Sequence, residues 1–300
     1  MGRERHPNHR ERSTLPVELR RTTVPPQVRS WVESHVGVLV VSARRLQGAS
    51  SAAIHQLRLA DGRVVVLRRY VWRGFVEDEP EAPRRERDAL RYARRHGLLV
   101  PEVLAADDTG QEVGDGVPVI LMTRLAGRPL ADPDPRRLAE AAAAIHAVDG
   151  AELGHEYFPW YEAEMTTPPP ATVQPELWEA AIEIWREALP DDPKVLVHRD
   201  LHPGNVLWSR GRVSGVVDWA NACRGPAGCD VATCRSNLVD WAGPDAADAF
   251  VAAYESITGE ALHPFWRLAN LLESGRAHWT PANLARGEPE LARLVSMLRP

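Results

Sequence analysis

The chain has 300 residues and a mass of 33.3 kDa, of which 44% are apolar and 26% charged, so it can fill the core of one large domain or of two lobes sharing a cleft. No apolar run approaches the ~20 residues of a membrane span, and the opening MGRERHPNHRERSTLPVELR has positive charge with no apolar stretch behind it, so neither a span nor a secretory leader is expected. Residues 1–100 hold twenty Arg and eleven acids, net +9, whereas residues 101–300 are net −14, a division that suits a polyanionic ligand at the front and a cationic one at the back.

The chain opens with a polar tail, residues 1–25, expected to be disordered rather than a nucleic-acid arm. A short helix is predicted over Pro26–His35. Strands follow at Gly37–Leu46, Ala52–Leu59 and Val64–Leu67, the last two joined by a two-residue Asp61-Gly62 turn. Pro80–His96 reads as a helix stopped by Gly97, and Val100–Ala105 and Val117–Leu125 as two further strands around a polar loop, Asp107–Gly116. Beyond Gly127 the texture becomes helical: Pro135–Val148, an irregular Gly150–Val173, Gln174–Leu189, a strand–loop–strand over Lys194–Trp219, and amphipathic helix from Cys229 to Leu298. This is an α+β plan, a strand-rich front with one long helix joined to a helical back. Cys223, Cys229 and Cys234 lack paired metal-site spacing and fit buried thiols in a reducing, cytoplasmic compartment. Lys194 is the single lysine, so a cationic site elsewhere has to use Arg.

The densest chemistry lies in Val197-His198-Arg199-Asp200-Leu201-His202-Pro203-Gly204-Asn205, where an Asp is followed five positions later by an Asn in a tight loop after an apolar strand. Kinase-type phosphoryl transfer needs this pair: the carboxylate orients the acceptor hydroxyl and takes its proton, and the amide oxygen holds a metal ion against the phosphates. Thirteen residues on, Gly215-Val216-Val217-Asp218-Trp219 ends a second apolar run in a carboxylate suited to magnesium between the β- and γ-phosphates.

HRDLHPGN followed by VVDW, extended by Gly225-Pro226-Ala227-Gly228-Cys229-Asp230, resembles the aminoglycoside phosphotransferase and choline kinase-like family, a branch of the protein kinase-like fold, from about Val36 to Phe250. The resemblance implies two lobes. The first, 26–125, is nucleotide-binding; the second, 126–300, is helical and carries the catalytic loop and acceptor site. It implies Asp200 as base, Asn205 and Asp218 as ligands of Mg2+, Asp230 as a brace of the catalytic loop at a helix start, and His198 as structural. His202 stands where a γ-phosphate contact or a loop brace is expected.

Such folds place a cation on the third strand to hold the α- and β-phosphates, positioned by an acid on the next helix. Here that strand ends Val65-Val66-Leu67-Arg68-Arg69, and alternation puts Val66 and Arg68 on one face, so Arg68 replaces the usual lysine and Glu86 is its matched acid. The phosphate-covering loop is Leu46–Ala53, with Gly48, Ser50 and Ser51 as donors, and the hinge to a purine is Met122–Leu125, through the backbone of Thr123 and Leu125. The implied co-substrate is ATP or GTP, and the implied partner a small hydroxylated acceptor, with no nucleic acid or membrane. Asp240, Asp245 and Asp248 suit an amine-bearing acceptor such as an aminoglycoside, whereas Phe158, Trp160 and Tyr161 suit an apolar or sugar-stacking one. Two other readings stand beside this: a protein kinase, for which the eleven residues between Asp218 and Asp230 leave little room for a peptide platform, and an inactive kinase-fold nucleotide binder.

Overall fold

The structure is a computed structural model that describes residues 23–46, 51–159, 167–187, 189–275 and 280–299. Helix α1 (Pro26–Val36) ends where Gly37 takes φ 75° and returns its N–H to the Glu33 carbonyl. Strands β1 (Val40–Leu46), β2 (Ala53–Leu59) and β3 (Val64–Arg69) form an antiparallel meander. The β2–β3 turn encloses three residues within its closing hydrogen bond, not two. Leu59 N–H bonds the Arg63 carbonyl around Ala60–Gly62, with Gly62 at φ 87°, the three-residue loop that puts glycine in the left-handed position.

A short helix α2 (Arg73–Asp78) and the long α3 (Ala82–Arg95) follow, then β4 (Val103–Asp107) and β5 (Val119–Thr123). The sheet order is β1-β2-β3-β5-β4, antiparallel throughout. Its two faces bury different partners. Leu57, Leu59, Val65 and Leu67 pack with Trp31 and Val32 of α1, while Val66, Ile120 and Met122 face the core that Ala89, Leu90 and Ala93 of α3 complete. The 107–116 loop is more ordered than its polarity suggested: the buried Asp107 carboxylate accepts the N–H groups of Thr109, Gly110 and Val113.

The helical part contains α4 (Pro135–His146), α5 (Pro175–Arg186), α6 (Ala227–Ala242), α7 (Pro244–Thr258), α8 (Pro264–Gly275) and α9 (Pro281–Leu298). Asp134 caps α4 through the N–H groups of Arg136 and Arg137. The span predicted as strand–loop–strand is richer. Strand β6 (Lys194–Val197) pairs with β9 (Cys223–Pro226), and between them β7 (Val206–Ser209) and β8 (Arg212–Val216) form a hairpin turned at Arg210-Gly211, both with positive φ. After β5 the chain crosses to this hairpin, where Arg128 and Trp208 exchange backbone hydrogen bonds. Gly127, at φ 99°, admits no side chain, because a Cβ there would lie 2.2 Å from the Trp208 carbonyl oxygen. One core runs through both parts: Tyr70, Leu90 and Ile120 join Leu138, Leu201, Val206, Trp219 and Phe250.

Candidate active site

The β7–β8 hairpin sets the geometry. Its register pairs Val206 with Val216, so Asn205 immediately before β7 and Asp218 just after β8 arrive at the same end, where Val217 N–H donates to the Asn205 carbonyl at 2.9 Å. Asn205 Nδ2 donates to the Asp200 carbonyl at 2.9 Å and lies 3.3 Å from its Oδ2, which leaves the amide oxygen as the remaining acceptor. Asp200, Asn205 and Asp218, all named from sequence, are thereby brought together. Two oxygens, Asn205 Oδ1 and the Asp218 carboxylate, match the chemistry of Mg2+, which takes few protein ligands and completes its shell with phosphate oxygens and water. Among the described residues no cluster of three or more His, Cys, Asp or Glu forms a protein-only metal cage.

The catalytic loop is held from beneath. Asp230, fully buried in the first turn of α6, accepts the N–H of His198 at 2.6 Å and of Arg199 at 2.7 Å, and its Oδ2 lies 3.2 Å from His146 Nε2. Burial alone would raise its carboxyl, but the His146 contact, the neighbouring histidines and the His198 N–H outweigh that and hold it below the ordinary value. His198 is buried as a strut, with Nε2 3.0 Å from the Val217 carbonyl and Nδ1 receiving the Asp200 N–H at 3.3 Å. His202 braces locally: its Nδ1 accepts the Gly204 N–H, and Nε2 stands 3.9 Å from Asp200 Oδ1. Arg199 and Asp218 adopt left-handed backbone conformations, φ 67° and 70°, in non-glycine residues, a strain that persists only where surroundings over-determine it.

On the sheet side, Arg68 Nε lies 3.0 Å from Glu86 Oε2, at an angle short of a directed hydrogen bond, and Arg68 NH2 lies 2.7 Å from Asp218 Oδ1. Both Arg68 and Glu86 are buried. Burial and the nearby Asp218 charge raise the Glu86 carboxyl even against the pull of Arg68. Burial would lower the Arg68 guanidinium, yet Asp218 and Glu86 hold it firmly charged. Arg69 points to the opposite face and pairs with Asp115. Ser51 Oγ is 3.4 Å from Arg68 NH2, while Gly48 and Ser50 lie outside the described residues, as do Trp160 and Tyr161. At the hinge, the Thr123 N–H donates to the Glu102 carbonyl at 2.9 Å, so it is turned into the sheet. Leu125 packs against Gly215. Of the acids proposed for amine recognition, Asp248 pairs with Arg235 at 2.9 Å.

Three residues of this site carried no functional reading in the sequence. His146, at the end of α4, has no local signal for its contact with Asp230. Arg199 sits 4.3 Å over the Tyr157 ring and donates to the Phe158 carbonyl at 2.9 Å, docking the 157–158 segment on the catalytic loop. Tyr70 hydrogen-bonds Glu86, and strand alternation continued from Arg68 is the signal that could have placed it on that face.

The family described as "Phosphotransferase enzyme family" (APH) matches residues 43–267. Homoserine kinase of Pseudomonas aeruginosa is 30% identical over 208 residues, 61% of this chain and 62% of the relative, so the chain spans about 62% of the length of that protein. Homoserine kinase of Gluconacetobacter diazotrophicus is 32% identical over 183 residues, 54% of this chain and 57% of the relative. Among solved structures, a thermostable mutant of aminoglycoside phosphotransferase APH(4)-Ia in ternary complex with AMP-PNP and hygromycin B has a TM-score of 0.63 at 19% identity, covering 91% of this chain and 98% of that one. Macrolide 2'-phosphotransferase MphH from Brachybacterium faecium gives 0.59 at 20% identity, covering 90% and 97%. The structural likenesses establish a shared α+β, protein kinase-like fold. With the family match spanning three quarters of its length, the chain belongs to the APH phosphotransferase enzyme family.

Proposed function

We propose that this protein is a cytoplasmic small-molecule kinase that transfers the γ-phosphoryl group of ATP to a hydroxyl of a small acceptor. The observation that carries the reading is the convergence of Asp200, Asn205 and Asp218 at one end of the β7–β8 hairpin, with Arg68 reaching the same point from β3. In this reading Asp200 orients the acceptor hydroxyl and receives its proton, Asn205 and Asp218 hold Mg2+, and Arg68 holds the phosphates with Glu86 at its back. The metal, when bound, neutralises the charge that develops on the phosphates. Arg68 now occupies Asp218 Oδ1, so the nucleotide enters a site where a cation already faces both acids. With its N–H engaged, Thr123 leaves Leu125 as the hinge donor to a purine edge. Ser51, beside Arg68, is a donor to the phosphates, a role expected also of Gly48 and Ser50, and His202 steadies Asp200. The nucleotide lobe is assigned to 26–125 and the catalytic and acceptor lobe to 126–300.

Adenine nucleotide is favoured over guanine by the ADP and AMP-PNP complexes of the neighbouring folds. A hydroxylated amine is favoured as acceptor, since homoserine and hygromycin B, named for the relatives, are hydroxylated amines and the acidic half of this chain complements their charge. A protein substrate is disfavoured because only eight residues, half of them in β9, separate Asp218 from α6. The test is ADP release and phosphate-bearing product from purified protein with Mg–ATP and a panel of L-homoserine, hygromycin B, a macrolide and a model peptide. Acceptor-stimulated turnover by a small alcohol that vanishes in Asp200→Ala is the expected result. Nucleotide binding with no turnover on any acceptor would instead make the chain an inactive nucleotide binder.

A further inference from the structure

Replacing a lysine by Arg at the phosphate-holding position creates a geometric problem. An ammonium needs one carboxylate in line with it, but a guanidinium is a rigid plane whose five N–H groups must be aimed together. In this protein the plane is fixed at its Nε side by Glu86 and at one terminal nitrogen by Asp218. Glu86 itself must therefore be held. Its carboxylate is fully buried on α3, where helix rotation or a rotamer change would re-aim Arg68.

Two groups hold it besides Arg68. The Trp219 backbone N–H, in the loop that carries Asp218, favours its charged form. The Tyr70 hydroxyl donates to Oε2, the same oxygen that faces Arg68 Nε. Tyr70 follows Arg68 by two residues at the end of β3 and shares its face. Its ring, 1% exposed, lies with the Arg68 guanidinium carbon 5.2 Å from its centroid and stacks on Phe75 of α2 at 6.1 Å. Phe75 in turn stacks near Trp72 at 6.3 Å, so the short helix α2 serves to seat the tyrosine. One side chain thus touches both members of the pair: hydroxyl to the acid, ring to the cation.

We propose that Tyr70 is a positioning residue for nucleotide binding, which acts through Glu86 to aim the Arg68 guanidinium at the phosphates. The inference rests on the kinase reading above. Its consequence is that the triad Arg68–Glu86–Tyr70 works as one unit.

The experiment uses the full chain and reads Mg–ATP affinity by titration calorimetry, beside the Michaelis constants for nucleotide and acceptor. Tyr70→Phe keeps the ring and its stack on Phe75 while removing the hydroxyl. It is expected to weaken Mg–ATP binding by about ten- to a hundredfold, the loss of one hydrogen bond to a charged group, with the acceptor constant within twofold of wild type. In Glu86→Gln the tyrosine has no carboxylate to hold, so adding Tyr70→Phe to it is expected to change affinity by less than twofold. A Phe75→Leu variant, which disturbs the stack but not the hydroxyl, reports purely structural loss as a lowered melting temperature with a smaller effect on affinity. Tyr70→Phe that binds Mg–ATP like wild type, or whose effect simply multiplies with that of Glu86→Gln, overturns the positioning role alone. Wild-type protein that binds no Mg–ATP overturns the kinase reading and this inference with it.

Discussion

The two halves of the candidate site are built by opposite means. On the catalytic loop, orientation is imposed on the backbone: Asp230 takes two successive N–H groups, His198 props the loop against Val217, and Asn205 ties back to the Asp200 carbonyl. The proposed base there remains partly open, the Asp200 side chain being 23% exposed. On the sheet side, orientation is imposed on side chains: Arg68, Glu86 and Asp218 come from β3, α3 and the loop after β8, and they are fixed by their mutual ion pairs together with Tyr70, which bonds Glu86 and packs on Arg68. A backbone-braced loop keeps its shape when one catalytic side chain is cut away. A side-chain network re-aims when any member changes. The difference separates damage to rate from damage to affinity.

Asp200→Ala is the sharpest test of that separation, and has the largest expected effect. It should lower turnover by about a thousandfold or more and leave Mg–ATP affinity and the melting temperature near wild type, as read by steady-state kinetics, calorimetry and thermal denaturation. A parallel loss of affinity would mean the loop is not braced independently of its carboxylate.

Asp230→Asn attacks the brace instead. It removes a buried charge from two backbone donors and from His146, and should cost about 3 kcal/mol of stability together with about a hundredfold in turnover. The folded carboxyl lies below its ordinary value of 3.8, so its stabilising effect is complete above that pH and is lost as pH falls through it toward the depressed value. Urea midpoints of wild type and variant should therefore converge as pH is lowered below 3.8, and a constant gap would rule out ionised Asp230 as the brace.

Asp218→Asn falls between the two regions, because it removes a proposed metal ligand and also one partner of Arg68. Magnesium-dependent nucleotide affinity should drop by about tenfold or more, with metal-free binding less affected, in titrations run with and without magnesium. Equal losses in both would remove Asp218 as a ligand.

The smallest effect compares neighbours on β3. Arg68→Met should raise the nucleotide Michaelis constant and lower turnover, and Arg68→Lys should keep partial activity because charge survives without the fork. Arg69→Met should spare nucleotide kinetics but lower stability by about 1–3 kcal/mol, since it leaves Asp115 unpaired and half sheltered. If Arg69→Met proves the one that damages nucleotide kinetics, the phosphate-facing side of β3 is misassigned.

What the sequence by itself determined were features written in consecutive residues. The HRDLHPGN and VVDW runs marked Asp200, Asn205 and Asp218 because one tight loop and one strand end place them. Alternation along Val65–Arg69 put Arg68 and Val66 on a single face, because a strand has a period of two. The α+β order was legible from the shift between β-branched runs and alanine-rich amphipathic stretches. Even so, local signals blurred where two structures share a pattern: Asp61-Gly62 reads as a two-residue turn, and the structure closes a three-residue loop on the same glycine. Within Lys194–Trp219 the strand–loop–strand reading missed a hairpin whose turn, Arg210-Gly211, was brief and charged.

The tertiary structure alone decided the contacts that cross long stretches of chain. His146 meets Asp230 from 84 residues away, Arg85 donates to the Ala220 carbonyl across 135, and Arg199 reaches back 41 to Phe158. It also decided that Arg69, adjacent to Arg68, is spent on Asp115, and that the Thr123 amide is turned to Glu102. The physical reason is common to all of them. A side chain's type and its spacing along an element state what it can bond, but which buried acid needs that bond depends on desolvation, and desolvation exists only once the elements have packed.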